Sequence, residues 1–222
     1  MQNYQIQLEN ILSGIDKNNK PILFLHVCCA PCASYVLKYL ENYFDIIIYF
    51  YNPNIDTREE YYKRARELES FIGKARIKIS NLIVEDYDHS EFLSNINGLE
   101  NEAEGGTRCR VCFNLRLKKT FDLCLRYIWK ENVSNSNKIY FCTTLTISPL
   151  KNAGVINEIG TKIADAYRES DGEYDIEFLP SDFKKNDGYK ISCELSREYG
   201  LYRQDFCGCE FSKKEVVASD FV

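Results

Sequence analysis

The sequence predicts a single α/β domain of the Rossmann-like kind, a three-layer sandwich around a mainly parallel sheet. Three observations carry that expectation. Two short, continuous apolar runs, "ILFLHV" (22–27) and "FDIIIYFYN" (44–52), read as strands covered on both faces. The segment between them, "APCASYVLKYLENY", sets Val36, Leu37 and Leu40 on one side of a helix. Strand, helix and strand within about thirty residues make a βαβ unit, which implies parallel pairing. The alternation then continues along the chain.

After the second strand, "NPN" signals a turn and "TREEYYKRARELESFIG" a helix. Thr57 followed by Glu60 has the spacing of a capping box, and Tyr61, Ala65, Leu68 and Ile72 form its apolar stripe. "RIKISNLIVEDY" (76–87) is the third strand candidate. "HSEFLSNINGLENEAEGG" is partly helical and is loosened by Gly98 and the Gly105-Gly106 pair. A long helix from about 109 to 130 places Phe113, Leu117, Phe121, Cys124 and Ile128 on one face. "KIYFCTTL" (138–145) is a strand, "NAGVINEIGTKIADAYRE" a helix and "EYDIEFLP" a last strand. A loop, a helical stretch and a cysteine pair complete the chain. The expected organisation is an N-terminal extension (1–20), one domain (21–212) and a C-terminal tail (213–222), with no internal repeat.

A chain of 222 residues, 45% hydrophobic, is long enough for one substantial core. No apolar run is long enough to cross a bilayer, and the first residues lack the apolar centre of a signal peptide, so a cytoplasmic location is expected. Thiols stay reduced there, and ten cysteines then argue for metal binding or redox chemistry over a disulfide scaffold. The net charge of −5 argues against indiscriminate nucleic-acid binding, but not against a local basic surface that reads one RNA.

The cysteines form two populations. Cys124 on an apolar helix face, Cys142 inside a strand pattern and the isolated Cys193 read as small buried hydrophobes. The other seven make three clusters: "CCAPC" (Cys28, Cys29, Cys32), "RCRVC" (Cys109, Cys112) and "CGC" (Cys207, Cys209). Vicinal cysteines cannot pair with each other without strain, and the side chains of Cys28 and Cys29 are expected to point apart. At the CxxC, the helix N-terminus together with Arg108 and Arg110 is expected to lower the thiol pKa values. A four-ligand zinc clamp would leave three clustered cysteines unexplained, and the thioredoxin-like context is absent. Thiolates in excess of four better match an iron–sulfur cluster beside a second metal or a dithiol. The first cluster also follows the first strand, where ligands gather in such sheets.

Taken in order, "HVCCAPC", "YFYNPNI…EEYYKRARE", "GTRCRVCFNLRL", "FCTTLTISPLKN…INEIG" and "LYRQDFCGCEFS" resemble the cobalamin-independent epoxyqueuosine reductase family over nearly the whole chain. The resemblance implies an adenine-nucleotide α-hydrolase-like fold in which "CCAPC" replaces the ATP-binding loop. It also implies the last step of queuosine synthesis, in which epoxyqueuosine at the wobble position of a tRNA anticodon loses its epoxide oxygen. On that basis Cys28, Cys29, Cys109 and Cys112 match the ligands of a [4Fe-4S] cluster. Cys207 and Cys209 match a pair that is either a redox-active dithiol or metal-associated. Cys32 stands where some relatives have aspartate, suited to a second, mononuclear iron. Cys32, Cys207 and Cys209 are therefore the expected catalytic residues, holding a metal that acts on the epoxide oxygen as a Lewis acid while the cluster feeds electrons. His26 and Tyr202 are candidate proton donors.

An anticodon loop needs positive charge and stacking surfaces. Asn52, Asn54, Thr143, Thr144, Ser148 and Lys151 lie in the strand-end loops. Arg58, Tyr62 and Arg66, with Lys63 and Arg64, lie on the helix after "NPN"; Arg108 and Arg116 flank the CxxC; Tyr202, Arg203 and Gln204 precede "CGC". These form the expected substrate-binding set, with tRNA and an electron donor as partners.

Overall fold

The computed structural model of the chain describes residues 2–134, 137–204 and 206–213. Its five strands are β1 (Ile22–His26), β2 (Asp45–Phe50), β3 (Asn81–Val84), β4 (Ile139–Thr143) and β5 (Ile176–Phe178). They form one sheet in the order β3-β2-β1-β4-β5, and every pairing is parallel. The helices are α1 (Tyr4–Ser13), α2 (Ala30–Leu40), α3 (Arg58–Ala75), α4 (His89–Asn95), α5 (Thr107–Lys130), α6 (Ala153–Glu169) and α7 (Gly188–Glu198). The predicted Rossmann-like sandwich is thus the observed architecture.

Strand alternation divides the core in two. Leu23, Leu25, Ile46, Ile48 and Phe50 face one way and pack with α1, α2 and α3. Phe24, Ile47, Tyr49 and Phe141 face the other way and pack with α5 and α6. Both faces are covered, which is why the strands are apolar throughout rather than alternating. β3 is shorter than the 76–87 run because it lies at the sheet edge, where short strands limit unpaired backbone.

Two local features differ from expectation. The segment 1–20, read only as an extension, contains α1, whose first backbone N–H groups are capped by the Asn3 side chain. Leu8 and Leu12 from α1 are buried in the first core, and each contributes roughly 1.5–3 kcal/mol through burial. At α3 only half of the capping box forms. The Thr57 hydroxyl accepts from the Glu60 N–H at 3.2 Å, while the Glu60 carboxylate turns to Arg64 at 2.7 Å.

The chain runs outward from β1 to β3 and returns through α4 and α5 to β4 on the other side of β1. The order therefore reverses between β1 and β4, and their carboxyl ends flank the crevice where such folds take ligands. His26 ends β1 there, level with Tyr49 of β2 and Thr143 of β4. Among the described residues, no helix is long and apolar enough to cross a membrane.

α6 approaches the sheet through Gly160, where an added Cβ would overlap the ring of Phe178. A Gly160→Ala chain should therefore lose thermal stability despite alanine's better helix propensity. Overpacking of this kind costs about 1–3 kcal/mol, so the unfolding midpoint should fall by roughly 3–10 °C in a calorimetric or circular dichroism melt.

Candidate metal centre

The turn from β1 into α2 carries the first three thiols. Cys29 occupies the N-cap of α2 in extended conformation, and Pro31 lies in the first helical turn, where no amide donor is needed. The sulfurs of Cys28, Cys29 and Cys32 all lie within 4.8 Å of one another, close enough to share a metal ion. Cys28 and Cys29 do not point apart as expected; their Sγ atoms are 3.9 Å apart. Strand alternation stops at the end of β1, so the turn brings both side chains to one side. Thr144 closes the group from β4's side, with its hydroxyl 3.4 Å from the Cys28 nitrogen and 3.7 Å from its sulfur.

These thiols titrate as a unit. Hydrogen bonds from Cys29 and Cys32 hold Cys28 well below the ordinary thiol range. The same bond to Cys28, with burial, pushes Cys29 up to about 12, and Cys32 is raised by its bonds to Cys28 and Cys29 and by burial. One thiolate thus forms readily and suppresses the next. A cation removes that restraint, because metal binding displaces thiol protons.

The second group comes from the start of α5 and from the chain's last described segment. Cys109, Cys112, Cys207 and Cys209 line one small cavity, shared with Asn54 and Arg116. The expected lowering of the CxxC thiols does not occur. Burial pushes Cys112 up to about 12 and raises Cys109, outweighing the Gly105 N–H that donates to the Cys109 sulfur at 3.2 Å. Arg108 is turned inward and donates to the carbonyls of Glu100 and Glu102, whereas Arg110 pairs with Glu158 at the surface. Phe92, Ile96, Leu99, Val111 and Phe211 pack around Cys112 and Cys209 as an apolar shell. The sequence signal for that shell was the helical spacing of Phe92, Ile96 and Leu99, in a stretch read only as partly helical.

Arg116 is the residue whose role the sequence concealed. It is 1% exposed, and desolvation disfavours its charge, yet Cys112, Cys207, Cys28 and Cys109 lie near enough to raise its pKa overall. Its Nη1 donates to Asn52 Oδ1 at 3.3 Å, and Asn52 Nδ2 in turn donates to the Val27 carbonyl at 2.9 Å. Among the described residues, Nε and Nη2 have no acceptor. A buried cation with unused donors, surrounded by thiols, fits an anionic thiolate-ligated group with further acceptor atoms.

A cleft of about 570 Å3 opens beside the thiols. Cys29, Cys32 and Cys207 form part of its wall, with Ser148, Lys151, Arg203 and Gln204 from the expected binding set and Glu104, Tyr189 and Phe206 not singled out before. Cys207 also borders the small cavity, so it lies between the two spaces. Lys151 is desolvated, but Cys207, Cys28 and Cys32 hold its pKa above the ordinary lysine value.

Other expected residues have different placements. Asn52, Thr143 and Thr144 are buried supports beneath the thiols, and Asn54 Nδ2 donates to the Cys207 carbonyl at 3.5 Å. Arg58 stacks on Tyr87, Tyr62 packs edge-on to Tyr61, and Arg66 is exposed on α3. Tyr202 lies under Lys63, whose Nζ is 3.4 Å from the ring centre, and its amide donates to Glu67. His26 is fully buried; its Nε2–H donates to the Tyr51 carbonyl at 3.0 Å, and Nδ1 accepts from the Thr143 hydroxyl at 2.8 Å. Burial and Arg116 lower its pKa to about 3, so the ring is neutral and both nitrogens are engaged. That placement makes it a bracket between β1, β2 and β4 rather than a proton donor. Cys124 and Cys142 are buried in the two cores, and Cys193 accepts from Arg203 Nη1 at 3.1 Å.

Comparison with known proteins accords with this centre. The family model described as Epoxyqueuosine reductase QueH matches residues 23–215. The chain is 38% identical to the Epoxyqueuosine reductase QueH of Streptococcus pyogenes serotype M1, covering 96% of this chain and 78% of that one. It is also 38% identical to the protein of that name from Staphylococcus epidermidis, over 95% and 84% of the two chains. With the Thermotoga maritima protein of that name, identity is 28% over 87% and 91%. A chain matched over almost its full length, with Cys28, Cys29 and Cys32 gathered at the carboxyl edge of a parallel sheet, belongs to the epoxyqueuosine reductase QueH family.

Proposed function

We propose that this chain is an oxidoreductase of queuosine biosynthesis that removes the epoxide oxygen of epoxyqueuosine in the anticodon loop of tRNA. Cys28, Cys29, Cys109 and Cys112 would hold a [4Fe-4S] cluster, and Cys32, Cys207 and Cys209 would form the adjoining metal or dithiol site. The observation that carries this reading is the meeting of thiols from three distant segments around one buried cation, Arg116, with Cys29, Cys32 and Cys207 bordering the cleft beside it.

In the net reaction two C–O bonds of the epoxide break and a C=C bond forms. Two electrons and two protons are taken up, and water leaves. An iron–sulfur group bound to these thiols would supply the electrons one at a time. The chain's own residues do the rest. Lys151 stays protonated beside Cys207, Cys28 and Cys32, and so presents a positive N–H donor where negative charge develops on the departing oxygen. The apolar shell on α4 and α5 keeps water from Cys112 and Cys209. Ser148, Arg203 and Gln204 line the cleft with polar groups suited to a nucleoside and its phosphates. Exposed Arg66 and Lys118 extend the positive surface for the RNA backbone.

Anaerobically prepared protein should contain iron and acid-labile sulfide and convert epoxyqueuosine-containing tRNA to the queuosine form when given a low-potential reductant. Colourless, zinc-loaded protein would overturn the reading. Cys28→Ser, Cys112→Ser and Cys207→Ser should each lower iron content or abolish turnover. Cys124→Ala, Cys142→Ala and Cys193→Ser should keep both, the first two with a loss of stability on the order of 1 kcal/mol. Raising salt from 50 to 200 mM should weaken tRNA binding roughly tenfold or more, because each phosphate contact releases counterions. A salt-insensitive titration would count against RNA docking.

A further inference from the structure

Described residues from Tyr199 to Lys213 lie along α3. Phe71 packs edge-on to Tyr199 with ring centres 5.3 Å apart, Glu67 accepts the Tyr202 amide, and Lys63 covers the Tyr202 ring. Next to Lys63 on α3, Arg64 meets Phe206 and Cys207. Beyond the start of α3, the Asp56 amide donates to the Gly208 carbonyl at 3.1 Å, and the Asp56 carboxylate holds Lys213 at 2.7 Å. These contacts fall at residues 56, 63, 64, 67 and 71, so one side of α3 and its approach form a rail for the strap that ends in Cys-Gly-Cys.

Arg64 stands apart within this rail. It is 2% exposed, although its neighbours in sequence suggested a solvated RNA-binding stripe. Its Nε is fixed by Glu60 at 2.7 Å, its Nη1 points to the Cys207 carbonyl at 3.5 Å, and its Cζ lies 5.3 Å from the centre of the Phe206 ring. The approach is close enough to exclude a side chain opposite. Gly208 has φ +103°, and a Cβ there would sit 3.1 Å from Arg64 Nη1 and 3.1 Å from Ile55. Asn54 Nδ2 reaches the same Cys207 carbonyl from the strand-end loop. The peptide that joins Cys207 to Gly208 is thereby held between α3 and the end of β2.

We propose that Arg64 is a positioning residue for the C-terminal cysteine pair: it fixes the Cys207 peptide so that both thiols face Cys109 and Cys112. The assignment rests on the reading that Cys207 and Cys209 belong to the reactive site. Tyr199, Tyr202 and Lys213 anchor the strap independently, so loss of Arg64 leaves the strap docked and its cysteine turn loose.

The test compares the full-length, anaerobically reconstituted wild type with Arg64→Leu and Arg64→Lys. The readouts are iron and sulfide content, the electron paramagnetic resonance and visible spectra, and kcat and KM for tRNA carrying epoxyqueuosine. Arg64→Leu should change the spectra and lower kcat on the order of 10²-fold, the effect of an ångström-scale misplacement, with KM unchanged. Arg64→Lys should recover part of kcat, because it restores the charge without the planar fork. A raised KM with a shallower salt dependence, an unchanged kcat and wild-type spectra would overturn the proposal and make Arg64 an RNA contact. Unchanged values throughout would overturn it as well. If Arg64→Leu does not fold, Gly208→Ala perturbs the same approach from the other side, and wild-type spectra in that variant would refute the assignment. Wild-type protein that carries iron but does not turn over the tRNA would instead refute the function proposed above, and the spectral comparison would still decide the role of Arg64.

Discussion

A guanidinium sealed inside a protein must be matched by negative charge, and among the described residues Arg116 has no carboxylate hydrogen-bonded to it. Its neighbours are thiols, supplied by the β1–α2 turn, by α5 itself and by the strap across α3. The arrangement is stable only if some of those thiols are deprotonated or bound to something anionic, since an uncompensated buried charge is costly. Protein cation and thiolate-held group therefore depend on each other. The surrounding structure serves that pairing. Asn52 aims Arg116 from the end of β2, His26 ties three strands together below it, and the apolar side chains of α4 and α5 lower the local dielectric.

The same logic explains how one fold accommodates different chemistry. In a parallel sheet whose strand order reverses beside β1, the first turn faces the crevice whatever it contains. Glycine and serine in that turn would offer amide groups to phosphate. Here Cys-Cys-Ala-Pro-Cys presents sulfur instead, and the proline removes one of the amides a phosphate would need. The turn keeps its place in the fold while its ligand preference moves from anionic oxygen to soft metal.

Much of this was legible from the amino-acid order. The strands announced themselves because burial on both faces demands unbroken apolar runs, as in Ile46, Ile47 and Ile48. The thiol clusters were legible because cysteine crowding has no use in packing. What escaped notice follows from ambiguity in single residues. α1 contributes only a few buried apolar side chains, Leu8 and Leu12 chief among them, too sparse a stripe to stand out before the turn at Gly14. Arg64, Arg108 and Arg116 were expected among the charges that meet the RNA, because nothing local says that a helix face will be covered by a segment far along the chain. Likewise the helix N-terminus at Cys109 was expected to favour thiolates, but desolvation depends on α4 and the strap, which no local pattern reports.

The strap also sets an order of events during synthesis. Cys28, Cys29 and Cys32 leave the ribosome early, whereas Cys207 and Cys209 follow only after the sheet and α3 have been made. Until then one wall of the cleft is missing and the face of α3 that receives the strap is bare. A nascent chain that has not yet delivered Cys207 and Cys209 therefore holds an incomplete set of thiols, and their arrival acts as a checkpoint on maturation of the centre.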